Sequence, residues 1–247
     1  MFILEKTDYQ ALLSQYQDFR YFETDPVAVV RQCTTPCDIE VMGVVCSWLA
    51  LGNRNQIYKH CRRSYEMMAA EPYRYVMGDD WRKFERDERC YYRMFRYSDF
   101  YCLMSSLNSV YRKYATLEDG VLDYLANHTG ADYLDALIAL LPAKGIPAAK
   151  SSACKRLCLF LRWMVRRDAT VDLGIWRRLD PSKLLIPLDV HVCRIGRELG
   201  LLTRKQADMK AAIQLTDRCR LIIPSDPCAL DYALFGYGYT TTHSYSS

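Results

Sequence analysis

Apolar residues return every three to four positions along nearly the whole chain, and that period is the strongest constraint on what it folds into. Strand-like alternation bounded by hairpin turns is not evident anywhere. The expected fold is therefore all-α. Glycine is scarce, 11 in 247 residues, and proline modest at 9, which calls for few and short loops. A chain of this length buries roughly 70–75% of its unfolded surface, enough for a core that needs no disulfide or metal staple.

The helices can be placed in turn. A first is expected over 8–22, and Asp25-Pro26 offers an N-cap with proline at the first helical position. Residues 38–51 read as a buried apolar helix ending near Gly52-Asn53, followed by an amphipathic helix from Asn55 to Ala70 bearing Arg62 and Arg63. Residues 81–101 interleave aromatics with arginines. They read either as a surface that stacks bases and neutralises phosphates or, more plainly, as a helix with an aromatic core face and a solvated basic face. Helices follow at 102–114, 118–127 and 131–141, and the segment 142–150, PAKGIPAAK, is the natural break between substructures. Ser151 or Ser152 is then expected to cap a helix running to about Arg167, and Asp180-Pro181 to open a short turn. Asp189 should cap a helix stopped by Gly200, Thr203 one to about Ile222, and Asp226-Pro227 should begin a last one to about Phe235. Residues 239–247 carry no core signal and are expected to fray.

Composition excludes some functions. The N-terminal residues lack the apolar core of a signal peptide, and no run approaches the roughly 18–20 apolar residues that span a membrane. The expectation is a cytoplasmic protein without a membrane partner. Eleven cysteines are scattered through helical patterns. Cys33 and Cys37 have no second pair at zinc spacing, and Cys219 and Cys228 lack the two further cysteines an iron–sulfur cluster needs. Buried reduced thiols are expected, with no metal and no cofactor. A net charge of +4 is compatible with nucleic acid without being diagnostic.

Two positions stand out chemically. The segment KRLCLFLRWMVRR carries a core stripe of Leu157, Phe160, Leu161, Met164 and Val165, with Arg162 the one charge between 157 and 165. Lys155 sits in its first turn. The positive end of the helix and neighbouring Arg156 both favour an uncharged, nucleophilic amine there, although position alone also fits an exposed lysine with no role. In IPLDVHVCRIGRELGLL, Asp189 is placed to cap a helix, worth about 1 kcal/mol, and a capping carboxylate is also well placed to stabilise a cation. His191, two residues on, can face the same space or be structural.

LDVHVCRIGRELGL resembles the Asp-x-His-Val-x-Arg segment of helix-hairpin-helix DNA glycosylases, whose aspartate is catalytic, a role that maps to Asp189. ACKRLCLFLR (153–162) resembles the Gly-x-Lys-x-Ala-x-x-Phe-Leu-Arg segment of archaeal-type 8-oxoguanine DNA glycosylases. There the lysine is the nucleophile, which maps to Lys155, and Phe160, Leu161 and Arg162 match in register. The whole chain also resembles an uncharacterised bacterial family related to these enzymes. Two departures stand out. The hairpin ahead of the lysine, AAKSSAC (148–154), has no glycine where the family turns tightly on glycines. Lys155 and Asp189 also lie 34 residues apart, farther than in the archaeal-type enzymes, so an insertion bearing Arg166, Arg167, Arg177 and Arg178 is expected between them.

The resemblance implies a single domain over 1–238 of two packed helical lobes with a cleft between them, roughly 25–130 and 131–238, the second taking the N-terminal helix. It implies a base-excision-repair DNA glycosylase with abasic-site lyase activity, acting on double-stranded DNA containing a damaged base, an oxidised purine such as 8-oxoguanine. Lys155 and Asp189 would be catalytic, and Lys150, Ser151, Ser152, Arg156, Arg162 and His191 would contact DNA. No cofactor, no iron–sulfur cluster and a monomer are expected. The rival reading is a non-catalytic nucleic-acid-binding or protein-interaction module on the same scaffold, and an RNA or nucleoside substrate is a third.

Overall fold

A computed structural model describes residues 6–150, 152–168 and 170–243. The fold is all-α, with 61% helix and 2% strand. In chain order the helices are α1 (Lys6–Tyr16), α2 (Pro26–Val30), α3 (Pro36–Trp48), α4 (Arg54–Met67), α5 (Pro72–Met77), α6 (Tyr97–Lys113), α7 (Leu117–Asn127) and α8 (Tyr133–Leu140). They continue as α9 (Lys155–Val165), α10 (Val190–Glu198), α11 (Met209–Ile222) and α12 (Leu230–His243). Strands β1 (Cys90–Tyr92) and β2 (Phe95–Arg96) form an antiparallel hairpin pairing Cys90 with Arg96 and Tyr92 with Phe95.

The chain divides into two compact units, residues 24–149 and residues 1–23 with 150–247. The division therefore falls after 149, and α8, expected in the second lobe, belongs with 24–149. Packing supplies the reason. The segment after α8 is tied into the aromatic core of its own unit: the Trp48 indole donates to the Lys144 carbonyl at 2.7 Å, and Lys144 Nζ donates to Asp99 at 2.9 Å. Gly145, at φ +91°, lies so close to Phe95 and Trp48 that an added Cβ would sit within 2.9 Å of both. Only glycine satisfies that turn and that approach together.

Within 24–149, α3 is buried almost throughout. Its Glu40 is 1% exposed and accepts from Tyr111 Oη at 2.9 Å and from the Leu117 amide at 2.8 Å, so it caps α7 from inside the core. Residues 81–101 form no single helix. They run through a 3-10 turn, the hairpin and the start of α6, because aromatic packing overrides the local helical period. Trp48 stacks on Phe95 with ring centroids 4.1 Å apart, Tyr91 on Phe100 at 4.8 Å and Phe84 on Tyr97 at 4.7 Å. The arginines between them face water and meet nearby carboxylates, Arg82 with Asp79 and Arg89 with Asp87. Of the plainer reading, the aromatic core and the exposed arginines form, whereas the single helix expected to carry them does not.

In the other unit, α1 lies along α12. Tyr16 meets Phe235 edge-on at 6.4 Å, Phe22 meets Tyr232 edge-on at 5.3 Å, and Gly236 faces the Tyr16 ring. Helix α1 stops at Tyr16 rather than 22, because the Asp18 carboxylate captures the Arg20 amide at 2.9 Å and starts a 3-10 turn. Helix α11 starts at Met209, capped by Asp208 accepting the Ala211 amide at 3.0 Å. The Thr203 amide instead donates to Gln214. Helix α12 reaches His243, beyond the point where fraying was expected; residues 244–247 lie outside the described residues. Among the described residues no helix is long and apolar enough to cross a membrane.

Candidate active site

Helix α9 begins where the chain has just left a left-handed turn. Cys154, at φ +48°, precedes Lys155, and the Cys154 amide donates to Ser152 Oγ at 3.3 Å. Ser152 thus closes the turn before the helix and does not cap it; Ser151 lies outside the described residues. A β-carbon in this conformation costs about 1 kcal/mol, the strain that the missing glycine would have relieved. From Cys154 onward α9 is apolar on most sides, with Leu157, Cys158, Phe160, Leu161, Trp163, Met164 and Val165 buried.

Lys155 comes off the first turn 37% exposed, and its Nζ lies 3.2 Å from Asp189 Oδ2, itself 32% exposed. Asp189 holds the N-cap of α10, its Oδ1 accepting the Val192 amide at 2.8 Å. One carboxylate therefore serves two donors. The cap fixes Oδ1 in the helix frame and leaves Oδ2 to the amine. The two residues singled out from sequence, 34 positions apart, come into direct contact.

Two turns further along α9, Arg162 is 5% exposed. It was expected at a DNA surface, but its guanidinium is spent on buried carboxylates: Nε meets Asp172 Oδ1 at 3.3 Å, and Nη1 bonds Asp231 Oδ2 on the first turn of α12. Burial explains the reassignment, since a guanidinium in this interior needs carboxylates close by. Asp172 also accepts from Arg166 Nη1 at 2.5 Å. Arg166 reaches Asp168 at 2.7 Å and both oxygens of Asp226 at 2.9 Å. The Tyr232 ring lies under both guanidiniums, 4.6 Å from Arg162 and 5.2 Å from Arg166. Burial pushes the Asp172 carboxyl up to about 6 against the pull of Arg162 and Arg166. Burial likewise raises Asp231, opposed by Arg162 and reinforced by Asp189.

The segment between α9 and α10 contributes Arg166, Asp168 and Asp172 to this network. The Leu173 and Gly174 amides donate to the Trp163 carbonyl at 2.9 and 3.0 Å, and the Trp176 amide to Met164 at 2.8 Å, folding residues 170–176 back onto the end of α9. Of its arginines, Arg166 is 2% exposed and points inward, whereas Arg167, Arg177 and Arg178 are exposed.

The remaining candidates are scattered. Lys150 is half-buried and Ser152 exposed at the approach to α9. Arg156 is half-buried, its pKa lowered by that burial. His191 is half-buried against α12, where a Cβ on Gly238 would lie 2.5 Å from its Nε2. The sequence reading missed Asp172, Asp231 and Asp226. The one available signal was Arg162 itself, a lone charge in an apolar helix that demands a buried partner, but nothing local named a carboxylate 69 residues downstream. Among the described residues no group of three or more His, Cys, Asp or Glu is placed to hold a metal ion.

Fold and site together define an all-α protein in which a half-exposed amine–carboxylate pair stands at the edge of a buried arginine–carboxylate network. The chain belongs to DUF2400, a family of proteins of unknown function, whose model matches residues 25–240. No curated protein and no solved structure matches the chain.

Proposed function

We propose that this protein is a DNA glycosylase with abasic-site lyase activity, built on the two-lobed helix-hairpin-helix plan and using Lys155 as nucleophile and Asp189 as its proton acceptor. The observation that carries the reading is the 3.2 Å approach of Lys155 Nζ to Asp189 Oδ2 in a half-open setting. An amine attacks only after losing a proton, and Asp189 lies within direct transfer distance of it.

In this reading a damaged nucleotide leaves the base stack before reaction. Lys155 Nζ bonds to C1′ as the N-glycosidic bond breaks, and the base departs with the bonding electrons and takes up a proton. Asp189 takes the proton shed by the amine and passes it to the departing base, and as a carboxylate again it stays close to the positive charge that develops on the sugar. The sugar ring then opens to an imine between Lys155 and C1′. Loss of a C2′ proton expels the 3′ phosphate and nicks the strand. In this reading Lys150, Ser152, Arg156 and the exposed Arg167, Arg177 and Arg178 would be among the groups that meet phosphates.

The test is borohydride trapping on duplexes carrying 8-oxoguanine or an abasic site, reducing the imine to a stable secondary amine. Wild type should form the covalent complex and Lys155→Ala should not. Asp189→Asn, which keeps an acceptor for the α10 cap, should slow trapping by about 10²-fold or more. Trapping that persists in Lys155→Ala would sink the assignment. The glycine-free turn at Ser152–Cys154 favours a second reading, a non-catalytic nucleic-acid-binding module, which binds the same duplexes and leaves them intact.

A further inference from the structure

Helix α4 turns one face to the core of the 24–149 unit and the opposite face to water. Ile57, Cys61 and Ser64 are buried. The buried side is fastened to the hairpin: Ser64 Oγ lies 2.6 Å from Tyr91 Oη, and the His60 ring lies 4.5 Å from that of Tyr92. The 3.6-residue period then sends Asn55, Lys59, Arg62, Arg63 and Glu66 outward, and all five are exposed. With half-buried Tyr58 they line an open hollow of about 480 Å³.

Three cations share one carboxylate there. Arg62 Nη2 lies 3.1 Å from Glu66 Oε1, an exposed pair that holds its partners only weakly. Arg63 donates to Tyr97 Oη at 3.3 Å, so a neutral phenol orients the guanidinium and leaves its charge uncompensated. Among the described residues neither Lys59 nor Arg63 forms an ion pair. The excess of positive charge is local, because residues 24–149 as a whole carry 15 Lys and Arg against 16 Asp and Glu.

We propose that the outward face of α4 binds the phosphate backbone of duplex DNA, with Lys59, Arg62 and Arg63 contacting phosphates along one strand. From Lys59 to Arg63 the helix advances about 6 Å, close to two base steps of about 3.4 Å each, so cations on successive turns meet phosphates a step or two apart. A row of cations on a rigid helix matches a regularly spaced anion better than the irregular carboxylates of an acidic protein. Such contacts position the duplex and read no sequence. The proposal rests on the reading of this protein as one that acts on DNA, and not on the chemistry of Lys155.

The experiment is fluorescence anisotropy of the full-length protein on undamaged, labelled duplexes of two unrelated sequences, repeated between about 50 and 200 mM KCl. Lys59→Gln and Arg63→Gln should each weaken binding about three- to tenfold, equally on both sequences, and the double variant should lower the slope of log K against log salt by about 2. Glu66→Gln, which releases Arg62 and removes the one anion, should tighten binding. Arg74→Gln on α5, an equal loss of charge at an exposed side chain of the same unit, should bind as wild type does.

Unchanged affinity and slope in the double variant overturn the proposal. An equal loss in Arg74→Gln also overturns it, since net charge alone would then explain the effect, and so does tighter binding of polyglutamate than of either duplex. A wild type that binds no duplex at low salt overturns this surface and the glycosylase reading together. Duplex binding that depends on Lys59 and Arg63, in a protein that never forms the borohydride-trapped complex, keeps the α4 surface and removes only the glycosylase.

Discussion

Asp172 shows what a single carboxyl does in this interior. It is fully buried between two guanidiniums, and burial carries its pKa from the ordinary aspartate value up to about 6. Because the folded state holds the proton more tightly than the unfolded one, the stability this linkage contributes is fully present below about pH 4 and is lost as pH rises through about 6. Asp172→Asn is the same shape without the titration. The melting-temperature advantage of wild type over Asp172→Asn should therefore shrink between pH 4 and 7.5, and thermal melts across that range check it; an advantage that grows with pH would reverse the assignment. Residue-scale chemistry was only partly legible from sequence. Lys155 and Asp189 could be singled out because each heads a helix with an interpretable pattern around it. Asp172, Asp226 and Asp231 could not, since a buried carboxylate is recognised by what surrounds it and its partners come from distant positions.

At the scale of elements, local chemistry decided well where caps and turns act alone. Asp25 caps α2 and Asp189 caps α10 as their sequence contexts imply, and Asp180-Pro181 opens a 3-10 turn. It decided poorly where long-range packing competes. The hairpin at 90–96 exists because Phe95 and Tyr91 bury against Trp48, a residue more than forty positions earlier. The meeting of α1 and α12 is likewise invisible in either helix taken separately. It turns on one residue: a Cβ on Gly236 would lie 1.9 Å from the Tyr16 ring. Gly236→Ala should destabilise the protein by about 1–3 kcal/mol through overpacking, despite alanine's better helix propensity. Urea denaturation measures the loss, and pairing the change with Tyr16→Leu should recover part of it. Full additivity would mean that the two residues do not meet.

For the whole molecule, the helical period was enough to read the fold class, while the partition into units was not. The segment 142–150 looks like a linker by composition, yet Gly145 and Lys144 fasten it to the core of 24–149, so the boundary falls at its end. The partition predicts unequal fragments. Residues 24–149 form an uninterrupted unit and should give a cooperatively unfolding helical protein when expressed alone. Residues 150–247 lack α1, whose buried Tyr9 and Tyr16 belong to their core, and should gain helicity and a cooperative melt only when a peptide of residues 1–23 is added. Circular dichroism distinguishes these outcomes, and a fully cooperative 150–247 fragment would contradict the partition.

The same split matters while the chain is being made. Synthesis runs from the N-terminal side, so residues 24–149 can fold once they have emerged, but α1 is made before them and its partner α12 after them. Until α12 has been made, Tyr16 of α1 lacks the Phe235 and Gly236 surface that it packs against. The Lys155–Asp189 pair, seated in the unit that α1 completes, thus gains its finished surroundings only once the intervening residues 24–149 have been made and α1 and α12 have met.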